Sequence, residues 1–558
     1  MTLKSFRQEL ANPRTSIQLC ILGIVGGMSA ASLIILFRLC VEWIQLSFLD
    51  ELNQFSDLPP MLRFALPIIG ALLIILFAFL TGFKHYRMGI PFVIHRLKQR
   101  YGHIPLRTTI NQFFGGMVAL ASGFVVGREG PSVHLGAAGS SFIGHGLKLP
   151  YNSIRILSGC GIAAGISASF NTPFAAVIFV MEVVLREYRI HIFIPVMLAA
   201  ACGSLMTRAV FGQVHELSFL SFQNISQWHY PYLIVLGITL GFIATLFNNQ
   251  LMNVMRLFRP VKMIWRILIA AVITAIFGYF LPESLSAGLD TTHAFVSGET
   301  TGMLIAILVA KFILALVAIG LGVPGGLIGP VYVIGMLAGA VLAIPLGFVL
   351  AENIDYSNSF ALLGIAGLLT AVLHAPLAAL SSIMELAYNP EVILPAMLVI
   401  VPAYVTSTQL LGNRSIFIRQ LEYQKLSYTI SPIREALQKT GVLAVMDTEY
   451  KLFIDAPDKY IMEFLDTSPN HPVVLRSSFE IDVQYSLVQY ELSLNHNSAP
   501  LAYFDMEGVP SQSTLAEVYE ILQVNRDGAV YVYETVPSSI IGVITWNTLR
   551  SYLHQEKF

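Results

Sequence analysis

The chain has 558 residues, 55% of them hydrophobic and only 12% charged, with a formal net charge of −1. Soluble domains carry roughly a quarter charged residues, so this chain cannot cover a globular surface with solvated groups. A secreted, disordered or nucleic-acid-binding protein is excluded, and a mean hydropathy of +0.68 points to a membrane protein.

The small net charge hides an asymmetry. Residues 428–558 hold 17 acidic and 8 basic side chains, a net of −9, which leaves 17 acidic against 25 basic, a net of +8, in residues 1–427. The chain therefore divides into a cytosolic N-terminal segment (1–15), a basic membrane domain (16–427) and an acidic cytosolic domain (428–558). Lys4, Arg7 and Arg14 precede the first apolar run, and excess Lys and Arg beside spans marks the cytoplasmic side. Both termini are expected in the cytoplasm, with the protein crossing the cell (inner) membrane many times.

A helical span needs ~20 apolar residues. In chain order, uninterrupted candidates lie at 17–46, 61–80, 191–211, 230–252, 264–281, 303–321 and 392–411. The first is too long for a cleaved signal. Between them lie shorter apolar stretches cut by Gly and Pro: 108–127, 131–146, 154–169, 173–185, 330–350, 360–374 and 376–388. Broken backbone at membrane depth is tolerated only where it is buried in protein or lines an aqueous path. Cys20, Cys40, Cys160 and Cys202 all fall in apolar helical stretches with no metal-ligand spacing, and read as small core residues.

The interrupted segments repeat. At an offset of 203 residues, 161–182 (GIAAGISASFNTPFAAVIFVME) lies over 364–385 (GIAGLLTAVLHAPLAALSSIME), with nine of 22 positions identical, the proline and the Met-Glu pair included. At an offset of 199, Gly127-Arg128-Glu129-Gly130-Pro131 lies over Gly326-Leu327-Ile328-Gly329-Pro330. This is an internal duplication, expected in inverted topology. After about residue 427 the pattern changes to a helix at 514–523, strands at 529–533 and 540–545, and a helix at 546–553. That is a small α/β module.

Enzyme signatures are missing. There is no P-loop lysine, no zinc-type cluster and no nucleophile elbow. Gly320-x-Gly322-x-x-Gly325 matches GxGxxG in form but has no strand–helix context. Three Gly/Pro loops carry more: Met88-Gly89-Ile90-Pro91, 127–131 and 326–330. In each, a proline falls near a helix start, where its missing N–H costs nothing. A helix N-terminus presents unpaired amides and about half a positive charge. Several such ends meeting at one point can hold an anion without a buried cation. Glu129 is an ionisable group in an apolar segment at one of these starts, and intramembrane charge is functional by default. A carboxylate there can occupy the anion's place and leave it on protonation. Glu182 and Glu385 share one repeat position near helix ends and read as structural.

These motifs, GREGP at 127–131, GLIGP at 326–330, MGIP at 88–91 and the Pro173 and Pro376 helices, resemble the CLC chloride channel and transporter family over about residues 15–420. The resemblance implies an all-α polytopic membrane fold, two inverted repeats of tilted and re-entrant helices, and a homodimer with one anion path per subunit. It implies that Glu129 is the gating glutamate. The implied anion ligands are the backbone of Arg128 and Gly130, Leu327 and Ile328, and the loop Met88-Gly89-Ile90. Three positions depart from the family. Met88 replaces a serine and Phe417 a tyrosine, so both hydroxyl donors of the central site are gone. Val183 stands where antiporters carry an internal proton-transfer glutamate, as in the channel branch, whereas methionine at position 88 is similar to the fluoride/proton branch. The tail resembles a pair of CBS domains at about 436–505 and 506–558. Ile544-Thr545-Trp546-Asn547 matches the end of one, with Asn547 where nucleotide-binding members have Asp. A bracing tail without adenine nucleotide, and no other cofactor or metal, is expected. The leading reading is a glutamate-gated path for chloride or a similar small anion such as fluoride or nitrate, channel-like or weakly proton-coupled. The alternatives are a proton-coupled antiporter, fluoride-selective in one version, and a non-conducting scaffold or sensor.

Overall fold

The structure, a computed structural model, describes residues 3–83, 89–212, 227–288, 301–350, 356–426, 431–468, 471–479, 482–490, 501–524 and 526–555, with residues 220, 222, 223, 225 and 428 between them. The chain forms two units. One comprises residues 20–143 and 156–428; the other comprises 1–19, 144–155 and 429–558.

After α1 (Leu3–Ala11), the first repeat contains α2 (Ile17–Leu46), α3 (Pro60–Leu80), α4 (Gly89–Gln99), α5 (Leu106–Ala121), α6 (Glu129–Gly146), α7 (Tyr151–Phe170), α8 (Pro173–Phe179) and α9 (Ile190–Phe211). The second contains α10 (Tyr230–Leu257), α11 (Met263–Phe280), α12 (Thr301–Leu321), α13 (Ile328–Leu350), α14 (Ser357–Leu373), α15 (Pro376–Leu386) and α16 (Ile393–Val405), and α17 (Ile416–Tyr423) follows it. Among the described residues, nine helices are long and apolar enough to cross a membrane. Two of them, α7 and α13, are longer than the broken stretches expected at 154–169 and 330–350. Ser and Asn at the start of α7 and the Ile-Gly-Pro opening of α13 shorten their apolar signal, but both are enclosed by protein and need no lipid-facing surface. The four cysteines are free thiols, Cys160 buried and the others half-buried.

The inverted repeat is visible in its contacts. Gly127 and Gly326, equivalent in the two repeats, pair as an antiparallel bridge: the Gly127 amide donates to Gly326 O at 2.8 Å and the Gly326 amide to Gly127 O at 2.6 Å. Two equivalent residues that exchange both bonds are related by a local two-fold axis. The helix that follows each loop packs backbone to backbone on the next one. A Cβ on Gly136 would strike the carbonyl of Gly161, and one on Gly335 the carbonyl of Gly364. Small residues that admit this approach drive helix association where no water is expelled. Asn171 and His374, both past the ends of their helices, take the left-handed backbone at φ 56° and 59°.

The prolines that open α8 and α15 leave further amides unbonded, and the repeats satisfy them reciprocally. Glu182 accepts from Leu377 N at 3.2 Å and Ala378 N at 2.7 Å, while Glu385 accepts from Phe174 N at 3.1 Å and Ala175 N at 2.8 Å.

In the other unit, β1 (Lys451–Ile454), β2 (Val473–Phe479), β3 (Asp482–Tyr490) and β4 (Leu501–Asp505) form one sheet in that order. β5 (Glu507–Pro510), β6 (Ala529–Tyr533) and β7 (Ile540–Thr545) form the second, β5 parallel to β6 and β6 antiparallel to β7. α18 (Pro432–Leu437) places Leu437 in the core of the second module, while α19 (Asp458–Thr467) lies between β1 and β2, α20 (Leu515–Leu522) between β5 and β6, and α21 (Trp546–Gln555) follows β7. Thr514 and Glu517 form a capping box at α20, the Thr514 amide donating to Glu517 at 2.8 Å. The second module keeps the βαββα order, whereas β4 follows β3 in the first. Bridges Gly441–Thr514 and Asp447–Val543 join the two modules. Asn152 Nδ2 donates to Leu10 O and Ala11 O at 3.1 Å and Lys439 O at 3.2 Å, tying α1 and the 144–155 turn to the tail of this unit.

Candidate anion-binding site

Three helix starts converge, and glycine makes the convergence possible. Gly89, the first residue of α4, has φ +76°, a backbone that L side chains rarely adopt. A Cβ there would stand 3.9 Å from Gly325 O, and one on Gly130 would stand 2.6 Å from the same carbonyl. The loops at 89–91, 127–131 and 325–330 therefore meet at one place, with the N-termini of α4, α6 and α13 directed there. Arg128 stacks its guanidinium on Phe170, 4.5 Å from the ring centroid, and its carbonyl accepts from the Ser132 amide at 3.0 Å. Leu327 and Ile328 are buried at the start of α13.

Glu129 sits between the repeats. It is 4% exposed, and its carboxylate lies in a cradle of Gly127, Gly326 and Gly329, where a Cβ on any of the three would crowd it. The Gly329 amide in the first turn of α13 hydrogen-bonds to the carboxylate, while Oε2 finds no partner among the described residues. A negative group thus occupies the positive end of the helix from the opposite repeat.

Next to this cradle is a cavity of 540 Å³ lined by Gly89, Ile90, Gly130, Leu327 and Phe417, among others. Phe417 is 2% exposed, on the second residue of α17. Among the described residues the lining has one hydroxyl, that of Tyr423, which donates to Met255 O at 2.6 Å. Met88 lies outside the described residues. Val183 is buried in the π-helical turn Val180–Leu185 that extends α8 and does not line this cavity. Sequence reasoning missed Arg259, Arg266 and Lys425 on the lining. Arg259 follows α10, Arg266 lies in the first turn of α11 and Lys425 follows α17, where basic residues read only as topology markers, yet three cations around one cleft raise the local anion concentration. It also missed Gln112, which stands beside Asn111 within the stretch 108–127.

Comparison with known proteins agrees with this architecture. The family model described as voltage gated chloride channel matches residues 70–408. The H(+)/Cl(-) exchange transporter ClcA of Salmonella agona (strain SL483) is 25% identical over 434 residues, 74% of this chain and 89% of that protein. ClcA of Klebsiella pneumoniae (strain 342) is 27% identical over 437 residues, 74% of this chain and 90% of that one. Among solved structures, a slow cyanobacterial Cl-/H+ antiporter superposes with a TM-score of 0.64 at 23% identity, over 73% of this chain and 96% of its own. A eukaryotic CLC transporter reaches 0.60 at 18% identity over 95% and 97%, a likeness that extends into the C-terminal module. With its family match, its two inverted repeats and its apolar helices, this chain belongs to the voltage-gated chloride channel (CLC) family, integral membrane proteins that transport anions and are not enzymes.

Proposed function

We propose that the chain carries chloride across the cell membrane along a path gated by the Glu129 carboxylate, channel-like or weakly coupled to protons. The observation that supports this reading most is the buried carboxylate in the glycine cradle at the start of α13, one oxygen unbonded. It stands where an anion is best held and competes with it for the same amides. Gly89, Ile90, Arg128, Gly130, Leu327 and Ile328 act as ligands through backbone amides and helix ends, with Met88 and Phe417 supplying no hydroxyl. Val183 offers no carboxylate for protons arriving from the cytoplasmic side. The working unit is a homodimer with both termini cytoplasmic, and the tail braces it without binding adenine nucleotide.

A second reading, obligatory exchange of chloride for protons, is favoured by the names of the ClcA relatives. The deciding experiment loads liposomes with chloride, imposes a gradient, and follows anion efflux and proton uptake together. The expected result is efflux that rises at acid pH with little proton movement. A fixed anion-to-proton ratio that vanishes in Glu129→Gln makes the protein an exchanger. Absence of chloride flux at any pH leaves a non-conducting scaffold, and fluoride moving far faster than chloride overturns the choice of anion.

A further inference from the structure

Lys311 lies in the middle of α12 and is 1% exposed. An ionisable group enclosed within a membrane span is costly and functional by default. Its Nζ donates to two consecutive carbonyls, Leu285 O at 3.2 Å and Ser286 O at 3.0 Å. It does not line the anion cavity, so nothing proposed above accounts for it.

The carbonyls it holds belong to a short loop at the edge of the Glu129 cradle. Ser286 takes a left-handed backbone at φ 60°, which a non-glycine residue keeps only where its surroundings enforce it. Each of its polar groups is bonded. The amide donates to Gly123 O at 2.9 Å, the hydroxyl donates to Asn53 Oδ1 at 3.0 Å, and the carbonyl accepts from Lys311. Gln45 Nε2 donates to the same Asn53 oxygen and to Leu120 O, both at 3.2 Å. The loop is thereby fastened to the end of α5, from which the chain runs on to Gly127 and Glu129. On its other side it meets α13: a Cβ on Gly329 would stand 3.0 Å from Glu129 Oε1 and 3.7 Å from Ala287 Cβ. Ala287 and the carboxylate flank the same glycine.

We infer that Lys311 is a positioning residue for the Glu129 gate: by gripping Leu285 and Ser286 it holds the 285–288 loop against the cradle and keeps the carboxylate seated. The inference rests on Glu129 being the gate, as proposed above. One group bonded to two successive carbonyls fixes both peptide planes, which neither an apolar side chain nor a hydroxyl with its single donor can do. Among the described residues, Glu283 is the charged side chain that acts on Lys311, and Arg128 and Tyr332 are the titratable ones that act on Glu129. Lys311 is not one of the latter, so its effect on the carboxylate passes through the loop.

The test follows chloride efflux from liposomes against pH, with the full-length protein. Lys311→Met keeps the length of the side chain and removes its donors. With the loop released, efflux at neutral pH is expected to rise roughly tenfold, toward the level of Glu129→Gln, and its pH dependence to flatten. In the Glu129→Gln background the same substitution is expected to add nothing, since no carboxylate is left to seat. Lys311→Arg, which restores donors for both carbonyls, is expected to bring back the wild-type pH profile. Ser286→Gly keeps the left-handed backbone, removes the bond to Asn53, and is expected to shift the profile in the same direction as Lys311→Met. A wild-type profile in Lys311→Met, or in Ser286→Gly where Lys311→Met fails to fold, overturns the inference. If the melting temperature of Lys311→Met falls while its profile stays put, the lysine serves the fold alone. An equal gain in the Glu129→Gln background also overturns it, because the effect then bypasses the carboxylate. A wild type whose efflux does not rise at acid pH fails the Glu129 reading itself, and that result is seen before any variant is made.

Discussion

A single buried carboxylate, that of Glu129, lies between the two repeats at this site. Held at the start of α13 by the Gly329 amide, the Glu129 carboxylate occupies the same amides and helix end that would attract a permeant anion. Protonation removes the attraction. Efflux through the wild type is therefore expected to rise as pH falls, and Glu129→Gln, a fixed mimic of the neutral form, is expected to conduct at a rate nearly independent of pH in the liposome assay. At Met88 the argument is about a donor rather than a charge. Met88→Ser restores a hydroxyl, and a hydrogen bond to an ion is worth about 1.5–3 kcal/mol, so chloride affinity is expected to tighten roughly tenfold or more by calorimetry. No change would mean that the side chain at 88 points away from the ion. Glu129 was legible in the sequence because a charge within an apolar segment is conspicuous. Arg259, Arg266 and Lys425 on the cavity lining were not, because basic residues near helix ends read only as topology markers.

Helix ends carry the architecture at the next scale. Glu182 and Glu385 each cap the helix that the other's repeat begins with proline, through two amides apiece. Glu182→Ala leaves the Leu377 and Ala378 amides without their carboxylate partner and is expected to cost about 1–3 kcal/mol, read as a lower melting temperature in detergent. Because the caps are related by the two-fold axis, Glu385→Ala should cost a similar amount, and a large inequality would show that only one cap matters. Asn152 is the corresponding tie in the other unit, one amide shared by the carbonyls of Leu10, Ala11 and Lys439. Asn152→Ala is expected to loosen α1 and the tail, visible as faster trypsin cleavage within residues 429–558, with the membrane helices resistant as before. Sequence spacing pointed to a shared structural role for the two glutamates. It did not say what they bond, because the partner amides lie about 200 residues away and become neighbours only through the inverted topology.

For the molecule as a whole, the open matter is how the exposed apolar faces are covered. On α9, Met197 and Leu205 are exposed; on α16, so are Leu394, Met397 and Val401. Such faces meet either lipid or a second copy, and within a bilayer shape decides between them. The segments at 191–211 and 392–411 are those expected at the subunit contact of a homodimer. Light scattering in detergent is expected to give the mass of a dimer, and the pair Leu394→Trp and Met397→Trp is expected to give a monomer that still folds. A monomeric wild type at every detergent concentration would remove the dimer from the proposal.

Amino-acid order alone determined the membrane class, the two repeats, the three Gly/Pro loops, the second module of the tail and the prominence of Glu129. Each of these is local: hydropathy over ~20 residues, a proline at a helix start, a charge where none is cheap. The tertiary structure decided what lies opposite what. It brought Gly127 against Gly326, seated Glu129 on the helix of the other repeat, crossed the two glutamate caps, and brought Arg259, Arg266 and Lys425 to the lining of one cavity. It also showed α7 and α13 to be longer than their apolar signal, since a helix enclosed by protein can carry Ser, Asn and Gly that a lipid-facing one cannot. Such pairings depend on the two-fold relation between distant segments, and no local pattern records which face of a helix another will cover.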